Sequence, residues 1–260
     1  LPAWPHELRT ARMLHRDMLK PPAGDHASAL VTPDWPQHFQ TLAATARDTR
    51  LQAYYASGAP GADAPLFSVP MAALDIETTG LETGRDEIVS IALVPMSLAQ
   101  IHGSQTQHWI VKPRGELAAE SVTFHGITHS QVAQAPDFDA VVQPLLAAMA
   151  GRVLVVHCRE IERGFLAAAL TARLGEGLQF PVIDTMELEA RLHRQPAGFW
   201  ARWRQAPPPS IRLADARRRY GLPGYRPHHA PTDALASAEL LLAQVADRFS
   251  PQTPLRELWW

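Results

Sequence analysis

The segment Val69-Pro70-Met71-Ala72-Ala73-Leu74 leads directly into Asp75-Ile76-Glu77-Thr78-Thr79-Gly80. A strand-length apolar run that ends in two carboxylates two residues apart leaves few ways to fold. Side chains alternate across a strand, so Asp75 and Glu77 share one face while Leu74 and Ile76 share the other. Two like charges at the edge of a core must be paired, protonated or bound to a cation. A divalent ion holds both ionised most simply, so the chain should supply further acids and a base.

The strands that surround this run are legible. Residues 69–76, 87–94 and 106–111 read as three strands with short connections, a meander. The middle one, Glu87-Ile88-Val89-Ser90-Ile91-Ala92-Leu93-Val94, is rich in β-branched residues. Phe138, Val141, Val142, Leu145, Leu146 and Met149 recur at helical spacing and stop at Gly151. Val153–Val156 is wholly apolar, as a central parallel strand should be. A helix over residues 160–174, a short strand at Val182-Ile183, another helix after Asp184-Thr185 and two closing helices complete the pattern. Residues 197–209, with Trp200, Trp203 and Pro207-Pro208-Pro209, read as an irregular insert. The order implies an α/β fold with a mixed sheet.

Before this domain, residues 1–66 read as a helical N-terminal extension and linker. Helices are expected over 7–19 and 35–55, then the Gly- and Pro-rich stretch 57–62. The domain proper is expected over 67–250. Residues 251–260 form a tail, whose Trp259-Trp260 end is expected to be exposed, docking on the N-terminal helices or on a partner protein.

Composition excludes several function classes. The 260 residues carry a net charge of −2, so no global basic field advertises tight binding to long duplexes. Local arginines, Arg202 with Arg204 and the Arg217-Arg218-Arg219 run, remain candidates for phosphate contacts. Cys158 is the one cysteine, so no internal disulfide forms. No apolar run reaches transmembrane length and the start lacks a basic-then-apolar layout, so a cytoplasmic, membrane-free protein is expected. His125 and His129 have zinc-like spacing, but nothing else in the chain completes a zinc site.

Two further segments carry chemistry. In His157-Cys158-Arg159-Glu160-Ile161-Glu162-Arg163-Gly164-Phe165-Leu166, helical geometry gathers Ile161, Phe165, Leu166 and Ala169 on one face. Glu162 falls in the middle of that face and needs a cation or a partner, whereas Glu160 points away. The third segment is His228-His229-Ala230-Pro231-Thr232-Asp233-Ala234, where Pro231 suits a first helical turn and puts Asp233 on the closing helix.

In their order, Asp-x-Glu-Thr-Thr-Gly, His-x4-acid-x2-Phe-Leu and His-x4-Asp-Ala resemble the three motifs of the DEDDh, DnaQ-like 3′–5′ exonucleases. His125-Gly126-Ile127-Thr128 and Asp184-Thr185 match segments typical of that family, and the resemblance spans about residues 69–249. It implies an RNase H-like, five-stranded mixed sheet flanked by helices. It implies that Asp75, Glu77, Glu162 and Asp233 hold two divalent cations, Mg2+ or Mn2+, with His228 as general base. Thr78, Thr79, Leu81, His125 and Ile127 would then line the terminal nucleotide, with backbone near Thr79 at its 3′-hydroxyl. The implied reaction is metal-dependent release of nucleoside 5′-monophosphates from single-stranded DNA or RNA 3′ ends. Two alternatives stand beside it: a nuclease-fold module that binds nucleic acid without cutting, and a proofreading or repair subunit that works through a partner docked on residues 1–66 or the tail. Glu162 departs from the family pattern, which has Asp there. The expectation is that its helix is set back to compensate for the added methylene.

Overall fold

The computed structural model describes residues 32–115, 126–193 and 209–260. The expected helix over 7–19 and nearly all of the expected insert lie outside these residues, as does His125.

Two short helices come first, α1 (Trp35–Thr45) and α2 (Thr49–Ala56), each started by an aspartate cap, Asp34 and Asp48. The sequence pattern reads as one helix here, but the chain turns at residues 46–48. Glu176, distant in sequence, accepts hydrogen bonds from the Arg47 and Asp48 N–H groups at 2.9 and 3.1 Å and fixes the break.

Strand β1 (Met71–Thr78) pairs antiparallel with β2 (Ile88–Met96), which pairs antiparallel with β3 (Gln107–Ile110). Helices α3 (His129–Gln134) and α4 (Phe138–Met149) follow, then β4 (Val153–Val156) and α5 (Arg159–Leu174). Next come β5 (Val182–Asp184) and α6 (Thr185–His193). Beyond the undescribed stretch lie α7 (Leu213–Arg219) and α8 (Ala230–Arg248). The sheet order is β3-β2-β1-β4-β5, with β1, β4 and β5 parallel. This is the expected five-stranded mixed sheet flanked by helices. β4 is buried along its whole length, as its unbroken apolar sequence requires.

β1 is where the sheet changes character. It has an antiparallel neighbour on one side and a parallel one on the other, and its pairing with β4 ends at Ala73↔Val155. Beyond Ala73 the strand runs past β4 and leaves a crevice at its carboxyl end, the usual ligand position in such sheets. α8 packs across β1 and β2 on one face of the sheet.

The two chain segments expected as linker and tail are structural parts of this domain. Leu255 and Arg256 donate backbone hydrogen bonds to Ala64 and Ala62, and Leu66 and Phe67 donate to Thr253 and Pro251. Trp260 and Val182 exchange backbone hydrogen bonds, so the chain end lies beside β5. Trp259 is only 4% exposed, which corrects the expectation of an exposed aromatic end available to a partner. The Trp260 carbonyl accepts from Trp35 Nε1 and Arg163 Nη2, and its ring lies between Arg159 and Arg191. Trp35, Phe39, Leu51, Tyr54 and Tyr55 belong to the same core as the sheet, so the packing has no seam at 66/67. A short run of polar and small residues reads locally as a linker; its hydrogen bonds to residues distant in sequence make it part of the domain.

Candidate active site

Asp75 and Glu77 lie at the projecting end of β1. Their cross-strand partners on β2 are Ala92 and Ser90, both small, which leaves room on that face for the start of α8. α8 delivers Asp233 from its first turn, with Pro231 beside it at the helix start. One carboxylate oxygen from each of Asp75, Glu77 and Asp233 comes within 4.8 Å of the others.

Such crowding is costly in the absence of a cation. Burial, followed by the Asp233, Glu77 and Glu162 carboxylates, holds Asp75 well above the usual carboxylate range. Burial and the Asp233 charge push Glu77 up to about 8. Asp233 is also raised by burial, although several donors pull the other way: the His229 N–H at 2.9 Å, the Tyr225 hydroxyl and the His228 N–H. Hard oxygen donors gathered in this way form a set suited to Mg2+ or Mn2+.

Glu162 sits on the first turn of α5, 4% exposed, where its position inside an apolar face put it. Its carboxyl group is held well above the usual range by burial first and then by Asp184 and Glu160. Its Oε2 is buried with no hydrogen-bond partner, the condition expected of an acid waiting for a ligand. It does not join the three-acid group, although its charge reaches Asp75.

His228 is exposed, one residue before the α8 cap, and has φ +66°. Among the described residues it is the one non-glycine with positive φ. Such backbone persists only where its surroundings impose it, and it concentrates at functional sites. The N–H of the next residue, His229, donates to the Asp233 carboxylate at 2.9 Å.

The residues expected around the terminal nucleotide divide. Thr78 is half-buried and its hydroxyl donates to the Gly80 carbonyl. Thr79 closes the loop that follows: its N–H donates to the Glu87 carbonyl at 2.9 Å and its Oγ1 accepts from the Glu87 N–H at 3.0 Å. The Thr79 amide is thus engaged within the loop. Gly80 is required by the same loop, because a Cβ there would collide with the Asp86 carboxylate, which caps the Glu82 N–H. Leu81 is 38% exposed on this loop. Ile127 is buried in a small cluster with Val89 and Val132.

Some residues around the site carry no readable motif. The sheet register sets Asp75, Ala92 and His108 in one row across three strands. His108 Nε2 bonds the buried Ser90 hydroxyl at 2.9 Å, and its ring meets that of His229 edge-on at 5.7 Å. The Arg217-Arg218-Arg219 run is not a phosphate-binding patch. Arg217 is buried, Arg218 pairs with Asp215, and Arg219 pairs with the buried Glu189. His157 is also buried, bridging Thr185 Oγ1 and the Ile211 carbonyl, and burial lowers its pKa to about 4. Asp184 caps two helices at once, accepting from the N–H groups of Arg159, Met186 and Glu187.

The mixed sheet with acids at the free end of its central strand defines an RNase H-like nuclease domain. An exonuclease family model, RNase T, matches residues 72–241. The chain belongs to this family, in its DEDDh, DnaQ-like 3′–5′ exonuclease branch. It is 31% identical over 182 residues to a DNA polymerase III subunit epsilon-like protein of Rhodobacter capsulatus, covering 70% of this chain and 24% of that protein. A PolC-type DNA polymerase III of Thermotoga petrophila is 26% identical over 180 residues, 69% of this chain and 12% of its own length. The chain therefore spans a quarter or less of these relatives. Among solved structures, the nuclease domain of 3′hExo, a DEDDh family member bound to rAMP, superposes with a TM-score of 0.58. Its identity is 18%, over 71% of this chain and 96% of that one. Exonuclease X in complex with 5′ overhanging duplex DNA gives a TM-score of 0.52 at 22% identity, over 68% and 92% of the two chains. Among the described residues, no helix is long and apolar enough to cross a membrane.

Proposed function

We propose that this chain is a divalent-metal-dependent 3′–5′ exonuclease acting on single-stranded 3′ ends of DNA or RNA. The observation that carries the reading is the cluster of Asp75, Glu77 and Asp233 carboxylates within 4.8 Å at the open end of β1. Asp75, Glu77 and Asp233 would hold divalent cations, Mg2+ or Mn2+, and Glu162 would complete the set with its unpartnered oxygen. Bound there, such ions make a water more acidic and neutralise charge on the departing 3′ oxygen. His228, exposed at the mouth of the site, takes the proton from the attacking water at a ring nitrogen. The left-handed backbone at His228 would aim the ring, next to the His229 N–H that Asp233 holds. Leu81 at the rim and Ile127, with Thr78 beside them, line the place of the terminal nucleotide, and apolar contact with a base is tolerant of sequence.

The test is an assay of 5′-labelled DNA and RNA oligomers with Mn2+, Mg2+ or EDTA. The reading expects a ladder shortening from the 3′ end with either metal and none with EDTA. Glu162→Asp belongs in the same assay. If the wild-type chain releases nothing and Glu162→Asp releases mononucleotides, the site has lost its activity through the longer acid.

A further inference from the structure

The loop that joins β1 to β2, residues 79–87, carries Leu81 at the rim of the site. A cavity of 460 Å3 lies between its second half and α5, lined by Thr83, Ile88, Phe138, Phe165 and Ala169 among others. Two contacts bridge the loop to α5 around this space. Thr83 packs on Gly164, where a Cβ would come within 3.0 Å of the threonine methyl. At the end of the loop, Glu87 Oε1 accepts from Arg173 Nη1 at 3.2 Å.

Glu87 joins more than these two elements. Its backbone closes the loop onto Thr79 through the two hydrogen bonds already described. Its Oε2 accepts from the N–H groups of Arg114 and Gly115, in the chain that leaves β3, at 2.6 and 2.9 Å. The Arg173 side chain is 5% exposed and reaches on to Asp137 Oδ2 at 3.2 Å. Asp137 in turn caps α4 by accepting from the Asp139 N–H at 2.9 Å. Each oxygen of the Glu87 carboxylate thus serves a different element. An amide of the same shape accepts at one end and donates at the other, so Gln cannot serve both sides at once.

We infer that Glu87, paired with Arg173, is a positioning residue for the terminal nucleotide: it holds the loop after β1 against α5 and the chain leaving β3, and so presents Leu81 as a fixed wall. The inference rests on the reading of Leu81 as lining the place of that nucleotide. Its physical basis is preorganisation, since a wall already ordered costs nothing to order when the nucleotide binds. Asp75, Glu77 and Asp233 are carried by β1 and α8, so metal binding should not depend on this clamp.

The experiment is calorimetric titration of thymidine 5′-monophosphate into the full chain saturated with Mn2+, and of Mn2+ into the metal-free chain. Wild type, Glu87→Gln and Arg173→Lys are compared, with circular dichroism on each. Glu87→Gln is expected to bind the nucleotide about 10-fold more weakly and Mn2+ within about twofold of wild type. Arg173→Lys keeps the charge, but one ammonium cannot span Glu87 and Asp137, so nucleotide binding should weaken in the same direction. In the exonuclease assay, Glu87→Gln should raise KM for the oligomer with kcat at saturation unchanged, whereas loss of folded protein alone would lower kcat and leave KM. Nucleotide affinity of Glu87→Gln within about twofold of wild type overturns the inference, as does a loss of Mn2+ affinity as large as the loss for nucleotide. If Glu87→Gln does not fold, Arg173→Lys decides, and its unchanged nucleotide affinity overturns the inference. Wild type that binds Mn2+ but no nucleotide overturns the assignment of Leu81 and this inference with it. Wild type that binds the nucleotide without cutting oligomers overturns the exonuclease reading alone, and the Glu87→Gln titration still decides this one.

Discussion

Replacing Glu77 by Gln should make the metal-free protein more stable while disabling it. Glu77 titrates at about 8 in the folded chain, against roughly 4.3 when unfolded. Between these values the folded state binds a proton that the unfolded chain has released, so stability falls as pH rises through the window. The cost is fully developed above pH 8 and absent below about pH 4. At 1.36 kcal/mol per pH unit its upper bound is about 5 kcal/mol; allowing for the half-exposed side chain to relax, about 2 kcal/mol is expected. For a chain of this size that is a rise in Tm of roughly 4–8 °C. The assay is thermal unfolding in EDTA at pH 8.5 and pH 5, then with Mn2+ added. Glu77→Gln should melt higher than wild type at pH 8.5 and at the same temperature at pH 5. Mn2+ should raise the wild-type Tm and barely move the variant, because ligand stabilisation scales with affinity. A variant that melts at or below wild type at pH 8.5 in EDTA refutes the electrostatic argument.

Other outcomes follow from the same geometry. Trp259→Ala, by emptying a buried site between β5 and the core, should cost about 3–5 kcal/mol in urea unfolding, whereas an exposed tail residue would cost almost nothing. His157 stays neutral when folded down to about pH 4, so its contribution is present above roughly pH 6.5 and lost as pH falls towards 4. Wild type should therefore lose on the order of 3 kcal/mol over that range relative to His157→Gln, measured as the difference between their urea midpoints at pH 7 and pH 4.5. Gly80→Ala must displace Asp86 and open the loop after the first acidic motif, and should lower exonuclease rate at least 10-fold with a Tm change of only a few degrees.

The sheet and its acids were legible because they depend on local pattern. Apolar alternation ending in Asp75 and Glu77 dictated both the strand and the shared face, and Glu162 betrayed itself by lying inside an apolar helix face. What was not legible depends on residues far apart in sequence. The break between α1 and α2 comes from Glu176, and no periodicity within residues 35–55 signals it. Residues 57–64 and 251–260 look like loose ends because the partners that hold them lie far away in sequence. The Arg217-Arg218-Arg219 run shows the limit most clearly: consecutive helical positions point in different directions, so adjacency in sequence made no common surface.

The acidic cluster at the end of β1 is proposed to remove nucleotides from 3′ ends with a divalent metal. The most direct measurement compares two otherwise identical labelled single-stranded oligomers, one with a free 3′-hydroxyl and one blocked at its 3′ end, incubated with wild type and with Asp75→Asn in Mn2+. Nucleoside 5′-monophosphates are expected from the free-ended oligomer with wild type alone, and none from the blocked oligomer or from the variant. Equal degradation of both oligomers, or undiminished release by Asp75→Asn, would contradict it.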